Sequence, residues 1–280
     1  MNRREAGSTV RQAHGPEHRR RVGWIGAIGQ SGRRVLALAQ RELIAIFLSP
    51  IAYVVIAIFL LLNGAMFYLI VKAFSAEPGT EGSVFAIFIG KFNILAWIFV
   101  LLTAPAITMR LFAEERRSGT IESLFSAPVA EFEAVIGKFL AGYVFYVCLW
   151  LPTVIYPIIL FKFSSPDWRP MATGYLGVAL VGAMFIAVGE LTSALTRNQI
   201  VAYMSGAAIL LVLFLAGLLL PIVVKGDTPT RILEYFDLWK HIGEDFAEGI
   251  VDSRHVVYYL SVTVFTLFLA TRVIESRKWR

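Results

Sequence analysis

Six apolar stretches constrain this chain more than any other feature. They fall at about 50–71, 92–110, 136–161, 172–194, 200–224 and 255–273, each near or above the roughly 20 residues a helix needs to cross a hydrocarbon core. Backbone polar groups in lipid must be satisfied within the segment, so the pattern predicts an all-α polytopic membrane protein with six transmembrane helices. The chain is 57% hydrophobic, against about 45–50% in soluble domains. Pro105, Pro152 and Pro157 lie inside these stretches, and the last two are placed to bend the third span.

Two units are expected. Residues 1–30 read as a disordered basic cytoplasmic arm, with Arg3, Arg4, Arg11 and Arg19 to Arg21. No apolar core with a cleavage site follows, so the arm is not a conventional signal peptide. Residues 31–280 hold the six spans. Their first segment, Ser31 to Ser49, places Leu36, Ala39, Leu43, Ile46 and Phe47 on one face, the pattern of a helix lying on the membrane surface. Pro50 then turns the chain into the bilayer. With the N-terminus inside, 18 of the 26 Lys and Arg fall in inside segments and 8 outside. The bias of basic residues puts both termini and the Leu111–Val129 segment in the cytoplasm.

Leu111 to Val129, LFAEERRSGTIESLFSAPV, joins the second and third spans. Glu114, Glu115, Arg116 and Arg117 favour a helix that Gly119 is placed to end. Thr120 can cap a second short helix, with Glu122 in its first turn. Ile121, Leu124 and Phe125 share one face of it. On the residues alone, this is either a knob that transmits a push from a partner or a solvated loop that only reverses the chain.

An external amphipathic helix is expected after Thr228, with Ile232, Tyr235, Phe236, Trp239, Ile242 and Phe246 on its apolar face. It would lie on, or dip into, the outer surface as a lid over an exit path or as a lipid-facing cap. Asp237, His241, Glu244 and Asp245 fall on the opposite, polar face; their spacing is read as polar surface rather than metal ligation. Glu190 is the one acid inside a span, expected to face the bundle interior or the interface, with Arg197 as a candidate partner. Gly174, Gly177, Gly182 and Gly189 suit close packing of the fourth span. Cys148, the single cysteine, reads as a small buried hydrophobe.

Glu115 to Glu122, followed by Ala127-Pro128-Val129 and then by Ile136-Gly137-Lys138-Phe139, resembles the first cytoplasmic loop of ABC-transporter permeases of the type-2 family. The resemblance runs from about Val35 to the C-terminus. Gly249 to Arg254 and Glu275 to Trp279 resemble its gliding-motility-type branch. The family loop carries a coupling helix that docks on a separate ATPase subunit. The resemblance therefore implies an ATPase-coupling role for Glu114, Glu115, Arg116, Arg117, Gly119, Thr120, Ile121, Glu122, Leu124 and Phe125. It further implies a second identical or related permease subunit, a bacterial inner-membrane location, and ATP and Mg held by the partner rather than by this chain. No metal is expected.

No G-x-x-x-x-G-K-[ST] occurs, since Gly90-Lys91 and Gly137-Lys138 are each followed by Phe, and there is no Ser-His-Asp or Cys-His arrangement. The chain is not expected to be an enzyme. The expected function is the permease subunit of an ABC transporter that exports or extracts an unidentified substrate. A non-transporting scaffold or anchor of a surface complex is the alternative. A secondary transporter is disfavoured by the lack of paired mid-membrane ionisable residues and of repeat symmetry.

Overall fold

The computed structural model describes residues 16–76, 83–90, 93–119, 130–164, 166–223 and 237–276, with side chains outside 16–29 and 217–223. Among them every regular element is helical. A long helix α1 (Pro16–Leu48) precedes the first span α2 (Pro50–Ala76), a six-residue helix α3 (Val84–Ile89) and the second span α4 (Ile94–Ser118). The third span consists of α5 (Glu131–Trp150), a 3-10 turn over Leu151–Val154, and α6 (Ile155–Phe163). Then come α7 (Arg169–Leu195), α8 (Gln199–Val223), a short α9 (Leu238–Lys240) running into a π-turn (His241–Phe246), and α10 (Ser253–Ser276). Six of these helical segments are long and apolar enough to cross a membrane. The 3-10 turn has Pro152 at its start, so the third span is interrupted where the sequence placed prolines.

The first helix begins at Pro16, inside the stretch expected to be a disordered arm; Pro suits a first helical position because its missing N–H would be unsatisfied there anyway. Its packed face keeps four of the five expected residues, all but Leu36, and adds others. Val35, Leu38, Ala39, Glu42, Leu43, Ile46 and Phe47 are half-buried at i, i+3, i+4 spacing, whereas Leu36 is 64% exposed. Leu38 lies on Gly137, and Phe47 meets Phe145 edge-on at 5.4 Å, so α1 packs along α5.

The axis of the bundle is α7, with 67% of its apolar window buried, the highest share of any span. Its glycines create this position. A Cβ on Gly182 would sit 1.9 Å from Tyr146 Cε1, and one on Gly189 would sit 2.2 Å from Thr108 Oγ1. Gly174 and Gly177 admit Ile89 and Phe246 in the same way. One small-residue face thus receives α3, α4, α5 and the π-turn, in keeping with close helix approach through small residues in membranes. Gly182→Ala is expected to cost about 1–3 kcal/mol through overpacking against Tyr146, read as a lower thermal midpoint in detergent. An unchanged midpoint would show that the α5–α7 contact is loose.

On the side of the membrane opposite α1, the π-turn dips into the bundle, the second of the two placements expected for this segment. His241 is fully buried rather than on a solvated polar face. Its ring stacks on His255 with centroids 3.7 Å apart, and its Nδ1 lies 3.3 Å from the Tyr259 hydroxyl. The π-turn inserts an extra residue and rotates the helical register, carrying His241 inward with Ile242 and Phe246. Asp237 caps the segment, accepting from the N–H groups of Trp239 and Lys240. Trp239 is half-buried against Phe214 at 5.2 Å. Ile232 and Phe236 lie outside the described residues.

Candidate coupling site

The last turns of α4 carry Glu114 to Arg117, and α4 ends at Ser118 with Gly119 in the left-handed conformation, φ 76°. Ending a helix this way suits glycine, which has no Cβ to clash. Thr120, Ile121, Glu122, Leu124 and Phe125 lie outside the described residues. The chain returns as α5, where Glu133 reaches back to accept from the Ala130 N–H at 3.0 Å, half of a capping box. The segment therefore has two defined stems, the end of α4 and the start of α5.

The stems are joined by charge. Lys138 of α5 is only 1% exposed, and its Nζ donates to Glu115 at 2.8 Å and to Glu42 of α1 at 3.2 Å. Arg41 bonds the same two carboxylates, at 2.6 Å to Glu42 and 3.4 Å to Glu115. Two cations and two anions alternate in a closed ring across α1, α4 and α5. Phe112 lies beneath it, with Lys138 Nζ 5.0 Å from the ring centroid, within reach of a cation–π attraction. Burial opposes ionisation of Glu42, yet the neighbouring Lys138 charge and the Arg41 hydrogen bond hold its carboxyl below the usual value of 4.5. The Glu42 bond in turn raises Arg41 above its ordinary value. A carboxylate with a depressed folded-state pKa stabilises above the unfolded value and loses that contribution as pH falls through the folded value. Thermal stability should therefore fall more steeply below pH 4.5 in the wild type than in Glu42→Gln; parallel profiles would mean that the ring contributes nothing.

Further ties hold the stems. Ser31 of α1 donates to Glu133 at 2.5 Å, with Arg34 3.8 Å from the same carboxylate. Ser193 of α7 accepts from the N–H groups of Phe112 and Ala113 and donates to the Met109 carbonyl, each at 3.1 Å. Those three bonds exhaust a hydroxyl's one donor and two acceptor sites. Arg116 reaches the Thr196 carbonyl at 3.5 Å. The α4 stem is thus bonded both to α5 and to the central α7.

Of the expected coupling residues, the structure brings Glu115 into the ring and Arg116 onto the turn after α7. Glu114 and Arg117 are exposed. Arg41 and Glu42 face the stems. Sequence reasoning missed Lys138, although it lies two residues inside the expected third span, where an ionisable side chain is by default a functional candidate. The expected Glu190–Arg197 pair does not form. Glu190 is fully buried, and neither of its carboxylate oxygens has a hydrogen-bond partner among the described residues, while Arg197, two turns on, is exposed.

Residues 72–242 match the family described as ABC-2 family transporter protein. The chain belongs to this family. The match takes in both stems and the segment between them, five of the six spans in whole or part, and the π-turn's first residues. The tail stretches Gly249 to Arg254 and Glu275 to Trp279 lie outside it. No curated protein matches the chain. ABC-2 membership and six apolar helices make this a multi-pass membrane protein of the transporter's membrane component.

Proposed function

We propose that this ABC-2 chain is a bacterial inner-membrane permease subunit that couples ATP hydrolysis on a separate ATPase to export or extraction of a substrate. The Leu111–Val129 segment docks on the ATPase, and ATP and Mg belong to that partner. The observation that supports this most is the ionic ring. A loop whose two stems are bonded to each other, to α1 and to the central helix passes a force at its tip into the whole bundle. A loop that only reverses the chain has no need of a buried lysine at its base. Two copies, or this chain with a related subunit, would face each other so that closure of paired ATPases moves both rings together. Such coupling requires the ATPase to bind the two packings with different affinity.

The test is co-purification from membranes of the native host, followed by measurement of ATPase activity with and without the permease. Retention of an ABC ATPase with altered turnover is expected. A complex without any ATPase would favour the anchoring role instead. Orientation is checked by Ser118→Cys and Glu248→Cys, which an impermeant thiol reagent should label from the cytoplasmic and the external side respectively. Labelling of Ser118→Cys from outside would sink the docking reading.

A further inference from the structure

A cavity of about 590 Å³ opens between α1, α2, α4 and α5 on the side of the ring, within the size range of small-molecule sites. Its depth follows from helix rise. The stretch of α4 from Ile94 to Met109 carries no charge, so Arg110 is the first charged residue to leave the hydrocarbon and marks headgroup level. Thr103 lies seven residues deeper on α4, and Phe145 seven residues deeper than Lys138 on α5, about 10 Å in each case. The cavity therefore has a charged rim, with Arg41, Arg110 and Glu114, and an apolar floor, with Val55, Ile107 and Phe145. Ile51 also lines it and is 57% exposed, on the same span as the exposed Val54 and Ile58, so the cavity opens beside an apolar surface of α2.

The rim charges decide the occupant. Arg41, Glu42, Glu115 and Lys138 neutralise one another in the ring. Arg110 and Glu114 do not pair: among the described residues neither side chain has an ion-pair partner, although they stand one turn apart. One guanidinium and one carboxylate are left facing the same opening, with no net charge between them. We propose that this cavity is a binding site for one phospholipid with a phosphoethanolamine headgroup, drawn from the leaflet on the α1 side. Its phosphate takes Arg110, its primary ammonium donates to Glu114, and an acyl chain fills the floor. A trimethylated headgroup has no N–H for Glu114, and the glycerol headgroup of phosphatidylglycerol offers it only neutral hydroxyl donors, weaker than an ammonium, and leaves its charge uncompensated. The proposal rests only on the chain spanning a membrane, so its failure leaves the ATPase reading untouched.

The experiment uses the full chain in nanodiscs of equal parts phosphatidylethanolamine, phosphatidylcholine and phosphatidylglycerol, followed by native mass spectrometry. One phosphatidylethanolamine per chain is expected to survive release. Glu114→Gln removes one charge-assisted hydrogen bond, so its preference for phosphatidylethanolamine over phosphatidylcholine should fall about tenfold. Ala106→Trp fills the cavity and should abolish retention, with wild-type circular dichroism showing that the variant folds; if it does not fold, the Glu114→Gln arm decides. Equal retention of the three lipids by the wild type would overturn the proposal, as would unchanged selectivity in Glu114→Gln. So would displacement by soluble glycerophosphoethanolamine, because an occupant held by its headgroup alone has no use for the apolar floor. A disulfide between two copies of Ala106→Cys would overturn it too, by showing that a second subunit covers the site.

Discussion

Lys138→Met should release α1 from the two stems while leaving the spans inserted. The lysine is 1% exposed and is the cation that bridges α5 to both other helices. Methionine keeps most of the volume but leaves Glu42 and Glu115 sharing one cation, Arg41, of the two that bridge them among the described residues. Removing one partner of a buried ion pair costs about 3–5 kcal/mol, because the other charge is left without compensation. The lower end applies here, since the two carboxylates are 16% and 18% exposed and water recovers part of the loss. A disulfide reports the release. Leu38 Cβ lies 3.1 Å from where a Cβ on Gly137 would be, near the 3.5–4.5 Å span of a disulfide's Cβ atoms. With Leu38→Cys and Gly137→Cys, oxidation should cross-link α1 to α5 readily in the parent and at least tenfold more slowly once Lys138→Met is added, as one 1.4 kcal/mol step already implies. Changing Glu42 and Glu115 to Gln in the same background should restore most of the cross-linking, since no unpaired carboxylate then remains. Equal rates throughout would mean that α1 is held by Leu38, Phe47 and their apolar neighbours without help from the ring.

Glu190→Met is expected to act in the opposite direction and raise stability. Both carboxylate oxygens are buried without a hydrogen-bond partner among the described residues. Leaving a buried polar group unsatisfied costs about 1–3 kcal/mol, and replacing it with an apolar group of similar shape recovers that cost. The midpoint in detergent should rise by several degrees, while Ser205→Ala, on a half-exposed hydroxyl bonded only within its own helix, should change little. If Glu190→Met lowers the midpoint, the carboxyl has a partner in the folded protein and its burial is productive.

These two residues also mark where the sequence stopped being readable. The six spans, the break at Pro152 and the helix stop at Gly119 follow from apolar length and from the backbone chemistry of proline and glycine, which are local properties. On α1, Ala39, Leu43, Ile46 and Phe47 followed from the apolar pattern, but Glu42 did not, because it sits at an otherwise apolar position. A charge there makes sense only once Lys138, 96 residues away, is known to await it. The same holds for His241, turned inward by a π-turn that composition does not signal. Glu190 was legible as an intramembrane acid, but its partner was sought nearby in sequence, at Arg197, which stays exposed while Glu190 is fully buried. The glycines of α7 were visible as a packing face, yet only the fold assigns Gly182 to Tyr146 and Gly189 to Thr108. Long-range pairing was the larger part of the information missing from the string, and the π-turn the smaller.

The closed ring of four charges has a consequence for how such a chain can be rebuilt. Its four residues belong to α1, α4 and α5 rather than to the stretch between Gly119 and Ala130, so the two stems carry ties of their own. Transplanting the corresponding residues of another ABC-2 chain should leave expression and thermal midpoint unchanged and transfer only the choice of ATPase, making partner identity a graftable trait and membrane architecture a fixed chassis.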